Sequence, residues 1–188
     1  MGTATKEQDV VDLLLDQHQQ IKALFAQVKA ADGDAKRDAF RQLVRLLAVH
    51  EAAEEQVVHP AARDGAGEAV VAARLHEESD AKKVLSDLHD LGTDAPDFDV
   101  RFAAFERAVL QHAAHEEQEE FPELRRTTDA ARLRRMTGAV KAAEAVAPTR
   151  PHPAAGESAL GNMLAGPPLA LFDRMRDAVS EWSRSGRG

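Results

Sequence analysis

The pattern His-x-x-x-Glu-Glu-Gln-x-x-x-Pro occurs twice in this chain, at His50–Pro60 and again at His112–Pro122. In each copy the histidine and the first glutamate are four residues apart, so on a helix they lie one turn above each other on a single face. That face is otherwise apolar. Phe40, Leu43 and Leu47 precede the first pair at helical spacing, and Phe102, Phe105 and Val109 precede the second. Two helices built this way must meet around something that accepts imidazole and carboxylate groups, because a bare buried carboxylate is strongly disfavoured.

Periodicity predicts four long helices, over about residues 7–31, 35–63, 68–91 and 98–127. ADGD breaks the chain after the first. Pro60 and the GAG at 65–67 end the second, Gly92 stops the third, and GTDAPDFD leads into the fourth. Helices of this length joined by short turns form an antiparallel up-down-up-down four-helix bundle, with a shorter fifth helix over about 129–146 packed outside it. The expected fold class is therefore all-α, and 188 residues suffice for a real core. Residues 1–146 form the bundle unit. Residues 147–168, APTRPHPAAGESALGNMLAGPP, read as a Pro/Gly/Ala-rich linker, extended or poorly ordered. Within 169–188, Phe172, Met175, Val179 and Trp182 recur three to four residues apart, which predicts a short amphipathic C-terminal helix that docks on the bundle or a partner subunit, with a membrane-surface or recruitment role as the alternative.

Composition removes several function classes. A net charge of −8 argues against nucleic acid as the main partner. The absence of cysteine excludes thiolate catalysis and Cys-based zinc or iron–sulfur sites. No apolar run reaches membrane-spanning length, and MGTATKEQDVV has no signal-peptide core. The expectation is a cytoplasmic protein, a monomer or weak homo-oligomer, with no membrane partner.

Which way the histidines point decides the rest. At about 100° per residue, His18 falls in the stripe of Val11, Leu14, Phe25 and Val28, so three helices aim polar groups at the bundle axis. A bound cation offsets the desolvation of both glutamates and uses the imidazoles as ligands. Imidazole with carboxylate and no thiolate suits iron or manganese, and less exclusively zinc. Carboxylates on two different helices can bridge two ions, with histidines completing each. HEAAE and HEESD lack the second histidine of the zinc protease motif, which rules out that reading. Glu51, Glu55, Glu117 and Glu120 are expected on solvated faces. His115 is a candidate outer partner of the centre, and His59 a helix-end residue beside Pro60.

On His18, the two His-x-x-x-Glu pairs and the repeated EEQ…P segments, residues 8–127 resemble the hemerythrin-like, His-His-Glu cation-binding family. The Pro-rich tail is similar to that of bacterial, especially actinobacterial, members. The resemblance implies a non-haem di-iron centre, oxo- or hydroxo-bridged, with His18, His50 and His112 as terminal ligands and Glu54 and Glu116 bridging. The third helix departs from the pattern, since Ser79 occupies the slot where the family commonly carries His. His76 is the best donor there by chemistry. Glu78, another carboxylate such as Asp80, or an open position are the alternatives, and Glu78 lies on the Val71/Leu75/Leu85 stripe. The candidate ligand set is thus His18, His50, Glu54, His76, His112 and Glu116. The implied function is binding or sensing of oxygen or a related small oxidant, with dioxygen, peroxide or nitric oxide as ligand. The alternatives are a peroxide- or nitric-oxide-processing di-iron enzyme and an iron storage or sensing protein. A binding protein is favoured over a dedicated enzyme.

Overall fold

The computed structural model describes residues 8–146, and all regular structure among them is helical. The first helix, α1 (Val10–Ala30), starts where Asp9 can cap it. The Asp9 side chain accepts from the Asp12 N–H at 2.9 Å, and Asp12 accepts from the Asp9 N–H at 3.3 Å. Such reciprocal capping contributes about 1 kcal/mol.

The second long helix, expected over about 35–63, runs to Ala66 just before Gly67. α2 (Gly33–Ala53) passes through a wide turn, Glu54–Val58, into α3 (His59–Ala66), so the proline sits inside a continuous helix. Proline lacks an N–H and its ring collides with the carbonyl four residues back. The wide turn accommodates this by slipping to i+5 bonding, with the His59 N–H donating to the Glu54 carbonyl. The second copy of the repeat does the same. α5 (Phe98–His115) leads through the wide turn Glu116–Glu120 into α6 (Phe121–Thr127), and the Phe121 N–H donates to the Glu116 carbonyl. Single π-helical turns of this kind gather at functional sites. Here each begins on an inward glutamate.

α3 connects to α4 (Glu68–Leu91) through Gly67 alone, at φ 94°, a conformation that favours glycine. Gly65 serves a different purpose: a Cβ there would lie 2.7 Å from Thr127 Oγ1, so its absence lets α3 approach α6. The long helices 10–30, 33–66, 68–91 and 98–127 make the four-helix bundle, and α7 (Ala130–Val146) packs against α1 and α2 as the fifth. No helix among the described residues is long and apolar enough to cross a membrane. The linker over 147–168 and the amphipathic helix expected within 169–188 lie outside the described residues.

The apolar core comes in two blocks. One end of the bundle is aromatic, where Phe25, Phe40, Phe98, Phe102 and Phe105 interlock, Phe98 stacking on Phe102 at 5.3 Å. The other end holds Val10, Leu14, Val58, Val71, Phe121, Leu124 and Leu133. Along every long helix the gap between the blocks carries a polar inward residue: His18, then His50 and Glu54, then Glu78, then His112 and Glu116. The two apolar ends therefore enclose a polar middle layer.

Candidate metal centre

Each of the three inward histidines is held from outside by its Nδ1. His50 donates to Gln17 Oε1 at 2.8 Å, His18 to Glu117 Oε1 at 2.8 Å, and His112 to Glu77 Oε2 at 3.0 Å. This turns every Nε2 toward the middle of the bundle, the arrangement by which proteins orient metal-ligating imidazoles. The Nε2 atoms then meet carboxylate oxygens. His50 Nε2 lies 3.3 Å from Glu54 Oε1, His18 Nε2 lies 3.3 Å from Glu116 Oε2, and His112 Nε2 lies 3.3 Å from Glu116 Oε1. The two oxygens of Glu116 thus face different histidines.

Two groups of four residues emerge, each with one ligand atom per residue and those atoms within 4.8 Å of one another. They are His18, His50, Glu54 and Glu116, and Glu54, Glu78, His112 and Glu116. Glu54 and Glu116 belong to both. Their four carboxylate oxygens are buried without a hydrogen-bond partner, as are Glu78 Oε2 and His112 Nε2. Buried polar atoms of native proteins are overwhelmingly satisfied, so this many orphans in one place call for an explanation. A cation supplies it: the carboxylate oxygens of Glu54 and Glu116 and His112 Nε2 converge without a hydrogen bond beside His18 Nε2 and His50 Nε2, which lie 3.1 Å from each other. The residues fit the cation-binding role that the sequence suggested.

The charges of the metal-free arrangement agree. Burial, reinforced by Glu116 and its neighbours, pushes the Glu54 carboxyl well above the carboxylate range. Burial also acts to raise Glu116, but the His112 imidazole and the other histidines hold it well below. Like charges in a dry site cannot both ionise. Burial, with His18 beside it, keeps His50 well below its ordinary value and hence neutral, which suits a ligand. Loading such a site displaces protons.

On α4 the structure brings Glu78, not His76, into the cluster. Glu78 is 1% exposed, whereas the His76 side chain is 78% exposed and faces Asp80 at 3.5 Å. Ser79 is exposed as well. Helical spacing alone puts Glu78 inward and His76 outward; only donor chemistry favoured the histidine. His18, His50, Glu54, His112 and Glu116 are all brought together.

Several other expectations give way. His59, the first residue of α3 beside Pro60, is 1% exposed rather than turned away from the interior, and contacts Glu78 through Nε2 and Glu120 through Nδ1. Glu120 is fully buried rather than solvated. For His59 the wide turn is the reason, because it adds a residue to its turn and rotates the next segment of helix away from 100° spacing, whereas Glu120 lies four residues from Glu116 and shares its inward face by spacing. Glu51 is also buried, and Lys82 stands between Glu51 and Glu55. Glu117 is exposed as expected, its Oε1 holding His18, and His115 stands as an outer partner, 3.0 Å from the Glu77 that holds His112. The outer partners Gln17, Glu77 and Glu117 each flank an inward residue in sequence, a signal available only once the inward set is known.

A cavity of about 210 Å³ adjoins the cluster. His18, His50, Glu78 and His112 border it, with Leu47 and Val109 among its apolar walls. The centre thus has room beside it for a small molecule.

Known proteins of similar sequence and fold point the same way. Residues 9–124 match the profile of the family described as Hemerythrin HHE cation binding domain. A DNA nickase of Nostoc sp. is 24% identical over 76% of this chain, but the match spans only 41% of the nickase. An uncharacterized hemerythrin-like protein of Schizosaccharomyces pombe is 24% identical over 92% of this chain and 87% of its own length. The crystal structure of a hemerythrin HHE cation binding domain-containing protein from Mycobacterium kansasii superposes with a TM-score of 0.65 at 21% identity. It covers 72% of this chain and 84% of that one, a likeness of fold.

Proposed function

The chain belongs to the hemerythrin HHE cation-binding family, and from that premise we propose that it holds two iron ions and binds or senses dioxygen or a related small oxidant. The observation that carries the two-ion reading is Glu116, whose oxygens face His18 on one side and His112 on the other with no hydrogen-bond partner at either. His18 and His50 would complete one ion, and Glu78 and His112 the other, with Glu54 and Glu116 shared. Iron held this way would supply reversible electron transfer to a small oxidant.

The chain's own residues do the rest. Gln17, Glu77 and Glu117 fix the imidazoles so that ligation needs no rearrangement. The apolar blocks on both sides exclude water from the layer. The cavity at His18, His50, Glu78 and His112 admits a ligand of few atoms. The nicking activity named for the Nostoc relative is not carried over, because less than half of that protein is matched and the net charge here is −8.

Metal analysis after iron-replete expression should find two irons per chain. The reduced protein should gain a visible charge-transfer band with oxygen that bleaches on degassing. Less than one ion per chain overturns the reading. Iron without that band, together with oxygen evolution from peroxide, would make the protein an enzyme instead.

A further inference from the structure

We propose that His59 is a positioning residue for the ion on the α4/α5 side, holding Glu78 in its ligating orientation through a Glu120–His59–Glu78 relay. The inference rests on the two-ion reading above. It brings in His59 and Glu120, which belong to neither His-x-x-x-Glu pair.

The geometry is that of a clamp. His59 Nε2 lies 2.5 Å from Glu78 Oε1, and His59 Nδ1 lies 2.7 Å from Glu120 Oε1. With a carboxylate at each end, the imidazole donates from both nitrogens. All three side chains are essentially inaccessible to solvent. Glu78 belongs to the group formed with Glu54, His112 and Glu116, and its Oε1, held by His59, is also 4.0 Å from His112 Nε2. Glu78 Oε2 has no hydrogen bond and lies 3.9 Å from Lys82 Nζ. A carboxylate held at one oxygen is fixed in orientation, so its remaining lone pairs are presented in a set direction. Ligating carboxylates are commonly tethered in this manner, and losing the tether weakens metal binding about 10–100-fold.

The need for a clamp is specific to this half of the centre. His18 and His50 are stiff rings held at Nδ1. Glu78 is a longer, more flexible donor that must be aimed. The wide turn Glu54–Val58 supplies the means, because it rotates His59 from the surface to the interior beside α4. In the second repeat the corresponding residue is Phe121, which stacks on His18 at 5.7 Å and has no carboxylate to hold.

That correspondence provides the test. His59→Phe installs the ring that the other repeat tolerates at this position, and Glu120→Gln weakens the relay without touching Glu78. Iron per chain, anomalous difference peaks at the iron edge and competition with a chelator are measured for both, with melting followed alongside. In His59→Phe the ion beside His112 and Glu78 should bind about 10–100-fold more weakly, and that beside His18 and His50 should stay. Glu120→Gln should show the same selectivity with a smaller loss, which keeps the question answerable if the phenylalanine variant folds poorly. Equal weakening of both ions, or none, overturns the relay. A wild-type protein holding fewer than two ions overturns the two-ion reading itself, a distinct result.

Discussion

Positions 59 and 121 occupy the same place in the two copies of the repeat, five residues beyond a shared carboxylate and just before a proline. Both come directly after a wide turn, and both point inward. One is a histidine clasped by Glu78 and Glu120; the other is a phenylalanine lying against His18. The two halves of the centre differ accordingly. The α1/α2 half offers two imidazoles and an aromatic backing, whereas the α4/α5 half offers one imidazole, a carboxylate and a buried acid–base–acid chain. The two repeats share a backbone geometry, and side-chain choice makes the two groups of donors chemically unequal.

The most severe way to break this comparison is to remove what the halves share. Glu54→Gln or Glu116→Gln should cost both ions, bringing iron from two to below one per chain by metal analysis. Retention of one ion at full occupancy would mean that the carboxylate serves one half alone. Half-specific changes come next. His50→Ala should empty the α1/α2 half and Glu78→Ala the α4/α5 half, each leaving about one iron at a different place in an anomalous difference map. Loss of the same ion from both would reduce two sockets to one. The outer partners should act more gently: Gln17→Ala and Glu117→Ala on the first half, and Glu77→Ala on the second, each weakening one ion about 10–100-fold in chelator competition.

A smaller effect concerns pH in the metal-free protein. Burial acts to lower His59, but the bonds to Glu120 and Glu78 outweigh it and push it up to about 10 from an ordinary 6.5. A raised histidine stabilises the fold fully below its ordinary value and loses that contribution as pH rises through the folded one. Burial next to Glu78 pushes Glu51 to about 8 from 4.5, so its ionisation also opposes folding as pH rises over that span. The chelated protein should therefore melt at a lower temperature at pH 9 than at pH 6.5, while the iron-loaded protein should depend less on pH. A flat profile in the chelated protein would place His59 outside the relay's electrostatics. Smallest of all, His76→Ala should leave iron content unchanged and stability within about 0.5 kcal/mol, as for other exposed side chains.

Much of the molecule is legible in the sequence. The third and fourth long helices are expected over 68–91 and 98–127, the spans observed, and the inward direction of His18, His50, Glu54, His112 and Glu116 comes from spacing. The misplaced residues have different origins. His59 lies just after a wide turn, where the helical angle per residue no longer holds, whereas Glu120 is four residues from Glu116 and inward by spacing. His76 fails differently: its chemistry outranks its place on the helix in a reading by donor type, although burial selects by place.

The sequence by itself determined the helices, the apolar blocks and the paired His-x-x-x-Glu registers, because these depend on local periodicity and on what can be buried. Tertiary structure alone decided where His59 points and what holds Glu78 in place. Those outcomes depend on the i+5 bond at each repeat and on the packing of α3 beside α4. Neither can be computed from spacing within one regular helix, since each arises where two segments share the same enclosed volume.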